Sequence, residues 1–108
     1  EIVIKKCRDL QKLCKNSIYD LHRGNLEKAK KQLDGVKESS NEILSVIATS
    51  PGLRNGAFEG VMEEYAEAYL FYQFLQDGRI LELADLEPIN ANEYMGGILD
   101  FTGEVARY

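Results

Sequence analysis

Apolar residues recur every three or four positions along most of this chain, a period that predicts helices. Val3, Cys7, Leu10, Cys14, Ile18 and Leu21 form the first stripe. Gly24 follows as a stop, and Asn25 is placed to cap the next helix. Leu26, Ala29, Leu33, Val36, Ser40, Ile43 and Ile47 form the second stripe, which ends before the breaker Ser50-Pro51-Gly52. A third helix is predicted to begin between Gly52 and Phe58 and to run to Gln76, with Asp77-Gly78 as its stop. The connection RILELADLEP carries leucines spaced for a brief helical turn. Asn90, with Glu93 three residues on, reads as a capping box that opens a fourth helix, NEYMGGILDFTGEVARY. No segment alternates strictly between apolar and polar residues, so no strand is predicted. Helix, short loop and helix, repeated, make residues 1–108 one all-α domain, an antiparallel helical bundle.

Helices three and four carry charge close to where a core is expected. On a wheel of about 100° per residue, Val61, Tyr65, Ala68, Tyr72 and Leu75 share one sector and form the predicted core stripe. Glu64 points with Phe71 and Glu67 with Phe74, so both acids flank that stripe. Met62, Ala66 and Gln73 are assigned to solvent, and Glu63 to its edge. In helix four, Glu93, Gly97, Asp100, Glu104 and Arg107 fall on one polar face. Glycine inside a helix costs about 1 kcal/mol relative to alanine. Gly96-Gly97 therefore predicts close approach by another helix or a ligand.

Composition narrows the class. With 44% apolar residues, a chain of 108 residues is able to build one core. No apolar run is long enough to span a bilayer and no secretory signal pattern is present, which predicts a cytoplasmic protein without a membrane partner. Cys7 and Cys14 lie about 10 Å apart on one helix, too far for a disulfide. Both fall on the apolar stripe and read as reduced core thiols. The chain opens on Glu and closes on EVARY, which reads as mid-helix, so the domain is expected to be incomplete, above all at its C-terminus. The net charge of −5 hides an asymmetry: residues 1–37 hold 10 basic and 5 acidic residues, residues 38–108 hold 3 and 13. Such a chain suits phosphates on one part and divalent cations on the other, although two ordinary charged helices would give the same counts.

The carboxylates offer the clearest candidate chemistry. Glu64 with Glu67, and Asp100 with Glu104, form pairs at spacings of three and four, so each pair shares a helix face. If the two helices pack side by side, four all-oxygen ligands converge, a set suited to hard cations such as Mg²⁺, Mn²⁺ or Ca²⁺. A di-iron bundle would want a Glu-x-x-His motif, and the one histidine, His22, lies on another helix. No Ser/His/Asp set, Cys/His set or glycine-rich phosphate loop is present.

EEYAEA and GGILDFTGEVARY also carry a resemblance. With LHRG at 21–24 and QLDGV at 32–36, they resemble, in the expected order, conserved stretches of the translin and translin-associated factor X family. The similarity runs from the first helix to the last. It implies an N-terminal portion of the seven-helix translin-type fold, whose members assemble into hollow octamers and bind single-stranded RNA and DNA. The family's catalytic acids match Glu64, Glu67 and Asp100, and Glu104 matches a glutamate that supports the same site. Because the acidic set is complete, the sequence resembles the factor X branch, which in that family is a metal-dependent endoribonuclease. The short connection between helices three and four resembles simpler, archaeal-type homologues.

What the resemblance implies is an Mg²⁺- or Mn²⁺-dependent endoribonuclease on single-stranded RNA, working as a homo-oligomer or with a translin-type partner. Glu64, Glu67, Asp100 and Glu104 would be its metal ligands. Lys5, Lys6, Arg8, Lys12, Lys15, His22 and Arg23 are candidate backbone contacts, since a basic groove binds phosphates without reading sequence. His22 and Arg23, with Lys12 and Lys15, are the preferred ones. Tyr65, Tyr69 and Tyr72, at helical spacing, are assigned to core or interface ahead of base stacking. The alternatives are a catalytically inactive, translin-like single-strand-binding protein and a helical scaffold with solvated acids.

Overall fold

The computed structural model describes residues 2–47, 57–86 and 89–107. Four helices follow in order: α1 (Ile2–His22), α2 (Leu26–Ile47), α3 (Ala57–Asp77) and α4 (Ala91–Arg107). A single 3₁₀ turn, Leu83–Asp85, lies in the connection before α4, where the leucine spacing predicted a brief helical turn. No strand occurs among the described residues. The architecture is the all-α bundle expected from the periodicity.

The helix ends follow from local chemistry. Gly24 and Gly78 adopt φ of +85° and +74°, the left-handed conformation that closes a helix and that glycine enters without a Cβ penalty. At the start of α4, the Glu93 amide donates to Asn90 Oδ1 at 2.9 Å while the Asn90 amide donates to Glu93 Oε1 at 3.0 Å. This is the reciprocal capping box predicted from the sequence.

The short turn after Gly24 folds α2 back along α1. Ser17 Oγ and Gln32 Oε1 meet at 3.1 Å, and Gln32 Nε2 donates to the buried Asp20 at 3.0 Å. Contacts of α1 with α3 keep a near-constant offset, from Gln11 beside Gly60 to His22 against Phe71, so these two helices run in the same direction. Lys30 Nζ of α2 donates to the Tyr69 hydroxyl of α3 at 2.6 Å and pins the remaining pair. The core holds Cys7, Cys14, Leu21, Leu33, Val36, Val61, Phe71 and Phe101, with both thiols free and buried.

α3 is the hub, packed on α1, α4 and, less extensively, α2. This overturns part of the wheel assignment. Met62 and Ala66, expected to face solvent, are fully buried, whereas Tyr72 and Leu75 of the predicted core stripe are only partly buried. A helix with partners on several sides is apolar nearly all round, so no single stripe describes it. Glu93 and Glu104, placed on a polar face, are also buried; of that face, Asp100 and Arg107 are exposed.

The glycine pair explains how α4 approaches so closely. A Cβ on Gly97 would lie 2.6 Å from Ala66 Cβ, 3.0 Å from the Glu63 carbonyl oxygen and 3.1 Å from the Glu67 amide nitrogen. Backbone atoms cannot yield as a flexible side chain does. Gly97→Ala is therefore expected to lower stability by roughly 1–3 kcal/mol. Gly35→Ala in α2, where an added Cβ meets nothing within 4 Å, is expected to raise it by about 0.4–1 kcal/mol. Urea unfolding of the two variants beside the parent checks both signs.

Candidate functional site

Three helices frame a cavity of 230 Å³ lined by Lys15, Ile18 and Tyr19 of α1, Glu64 and Glu67 of α3, and Glu104 of α4. The Gly97–Ala66 crossing brings α4 near enough for Glu67 and Glu104, both buried, to share a hydrogen bond. Two carboxylates joined in this way cannot both remain charged without cost. Burial, the hydrogen bond to Glu104, and the charges of Glu104, Asp100 and Glu64 push the Glu67 carboxyl up to about 8. Glu67 is thus the protonated member and donates to Glu104.

Glu104 is held in the opposite sense. Burial alone would raise its carboxyl, but hydrogen bonds with Glu67, His22 and Arg107 outweigh burial and hold it below the usual range. His22 Nε2 lies 2.8 Å from Glu104 Oε1, and Arg107 Nη2 lies 2.8 Å from Glu104 Oε2. The imidazole rests on Phe71, with ring centroids 4.9 Å apart. Glu64 is half-buried. Its carboxyl is raised by burial and by Asp100 and Glu63, and drawn back by Lys15 across the cavity. Asp100 is exposed, and its charge helps to raise the carboxyls of Glu63, Glu64 and Glu67. Burial and the charges of Glu64 and Glu67 push the Cys14 thiol far up, which keeps it a neutral core group.

The four acids named from the sequence therefore meet in one region. Among the described residues, however, no three His, Cys, Asp or Glu side chains are gathered so as to hold one metal ion. Of the basic residues, Lys15 lines the cavity, Lys12 is exposed, and Arg23 is exposed and paired with Asp20 at 3.4 Å. His22 is turned inward to Glu104. The all-oxygen donor set and its surplus negative charge fit a hard divalent cation, provided Glu67 gives up its proton.

Sequence reasoning did not single out Tyr19 or the role of Arg107. Lys15, Tyr19 and His22 follow spacings of four and three, one face of α1, and this signal was available. Arg107 stands three residues after Glu104, close enough to pair on a helix.

The raised Glu67 value carries a consequence for stability. Because the folded-state value exceeds the ordinary 4.5, the bound proton favours the fold; that contribution is complete below 4.5 and is lost as pH rises through about 8. Glu104, held low, acts in reverse: its contribution is present above 4.5 and fades as pH falls through its lowered value. In metal-free buffer the parent is expected to lose stability between about pH 6 and about pH 9, and Glu67→Gln, which keeps a donor to Glu104, to lose much less. Chemical denaturation at the two pH values measures the difference.

The Translin family model matches residues 1–108. No curated protein sequence matches. The fold is similar to that of a chain in "Crystal structure of apo-NeC3PO", with a TM-score of 0.86 and 23% identity over 97% of this chain. The chain spans 55% of the length of that one. No described helix is long and apolar enough to cross a membrane. Because the family model matches all 108 residues of the chain, the chain belongs to the translin family.

Proposed function

We propose that this chain provides the acidic centre of a metal-dependent endoribonuclease acting on single-stranded RNA, of the translin-associated factor X type. Members of the translin family bind nucleic acids and form oligomers. The observation that carries the further step is the gathering of Glu64, Glu67 and Glu104 around one cavity, with Asp100 close enough for its charge to raise Glu64 and Glu67, and with Glu67 keeping a proton that a cation would replace.

In this reading Glu64, Glu67 and Asp100 would hold Mg²⁺ or Mn²⁺, with Glu104 supporting Glu67. A bound ion of this kind polarises the scissile phosphate and lowers the pKa of attacking water. The chain's own groups do the rest. Glu67 releases its proton when the site is loaded. Lys15 offsets the charge of Glu64 and, with Lys12 and Arg23, offers phosphate contacts along α1. Such contacts hold a strand through its backbone, which makes affinity salt-dependent and sequence-tolerant. Assembly as a homo-oligomer, or with a translin-type partner, in the cytoplasm belongs to the same proposal.

A second reading, a single-strand-binding protein that does not cut, draws support from the same site. The Glu67–Glu104 hydrogen bond turns two of the acids toward each other, and no cation-enclosing group of three occurs among the described residues. Labelled single-stranded RNA separates the two. The full-length protein is expected to cleave it with Mn²⁺ and not with chelator, and Glu67→Gln or Asp100→Ala to reduce the rate by about 10–100-fold while circular dichroism stays unchanged. Salt-sensitive binding without cleavage at any Mn²⁺ concentration would establish the second reading.

A further inference from the structure

His22 stands beside Arg23 in the basic part of the chain, where a phosphate contact would be the simple expectation. The structure gives it different surroundings. Its Nε2 is 2.8 Å from Glu104 Oε1, its side chain is only 27% exposed, and its ring lies against Phe71. Arg107 holds the other Glu104 oxygen at 2.8 Å. With both oxygens engaged, Glu104 has a fixed orientation, and Glu67 is hydrogen-bonded to the carboxylate so fixed. The chain of contacts runs from the last turn of α1, through α4, to the middle of α3. It joins the three helices that line the cavity.

We infer that His22 is a positioning residue: through Glu104 it sets the orientation of the Glu67 carboxyl in the cavity, and it is not a contact for the nucleic-acid backbone. The inference deepens the proposed function and rests on it only for the value of a well-placed Glu67. The His22 and Arg107 contacts to Glu104 are independent of any bound ion, and the Glu67–Glu104 hydrogen bond belongs to the metal-free site, where Glu67 keeps its proton. A buried carboxylate fixed by a neighbouring imidazole keeps its direction at little entropic cost, and outer partners of this kind commonly change metal affinity by about 10–100-fold when removed.

The test uses the full-length protein with His22→Ala and His22→Gln, the glutamine amide being able to reach the same oxygen. In metal-free solution, the Glu67 side-chain carboxyl ¹³C resonance is expected to move in His22→Ala and to return toward the parent position in His22→Gln. Affinity for single-stranded RNA in chelator should stay within about twofold of the parent in both, and Mn²⁺ affinity should fall by about tenfold or more in His22→Ala. A Glu67 resonance unmoved in His22→Ala, or a several-fold loss of RNA affinity in both variants, would overturn the inference. If the parent itself binds no Mn²⁺, the proposed function fails, and the ¹³C readout still decides the role of His22. A retained unfolding midpoint in His22→Gln guards against reading loss of fold as loss of position.

Discussion

The close crossing of α4 over α3 at Gly97 and Ala66 sets what the rest of the molecule is able to do. Helices usually pack with their axes 8–10 Å apart, a distance fixed by the side chains between them. Here one partner presents hydrogen where a Cβ would otherwise strike Ala66 and the α3 backbone. The helices close, and side chains near the crossing are brought together, one residue past Ala66 on α3 and seven residues, about two turns, past Gly97 on α4. Those side chains are Glu67 and Glu104. A crossing enforced by apolar packing thus pushes two carboxylates into a contact that charge alone would oppose. The fold tolerates it by keeping a proton on Glu67 and by surrounding Glu104 with His22 and Arg107.

Much of this was legible in the sequence. The helices, the capping box at Asn90 and Glu93, the stops at Gly24 and Gly78, and the close approach at Gly96-Gly97 follow from local chemistry that residue type dictates. The membership of Glu64, Glu67, Asp100 and Glu104 in one region was legible because pairs at helical spacing share a face. What the sequence did not reveal depended on how many neighbours each helix has. A wheel with a single core face puts Met62 and Ala66 in solvent, whereas α3 is enclosed on several sides. His22 and Arg23 stand together in the LHRG stretch that resembles the family and are candidate phosphate contacts there, although one residue along a helix is a turn of about 100°. That turn separates the exposed Arg23 from the inward His22.

Electrostatics give the site its character. The acids cluster on α3 and α4, and Lys15 on α1 stands across the cavity from Glu64. The asymmetry between a basic first part of the chain and an acidic remainder thus becomes an arrangement in space, with the carboxylates of α3 and α4 beside the basic helix α1, the first to hold a cation and the second a phosphate in the proposed function. Both would be needed to hold an RNA strand against a metal ion. Neither needs a base-reading contact.

Calorimetric titration of Mn²⁺ into the full-length protein near pH 7, in buffers of different ionisation enthalpy, counts the protons released on binding. With the Glu67 carboxyl near 8, the carboxyl pair predicts release of close to one proton per site loaded. Saturable binding with no proton released, or no binding at all, would contradict a metal centre built on Glu67.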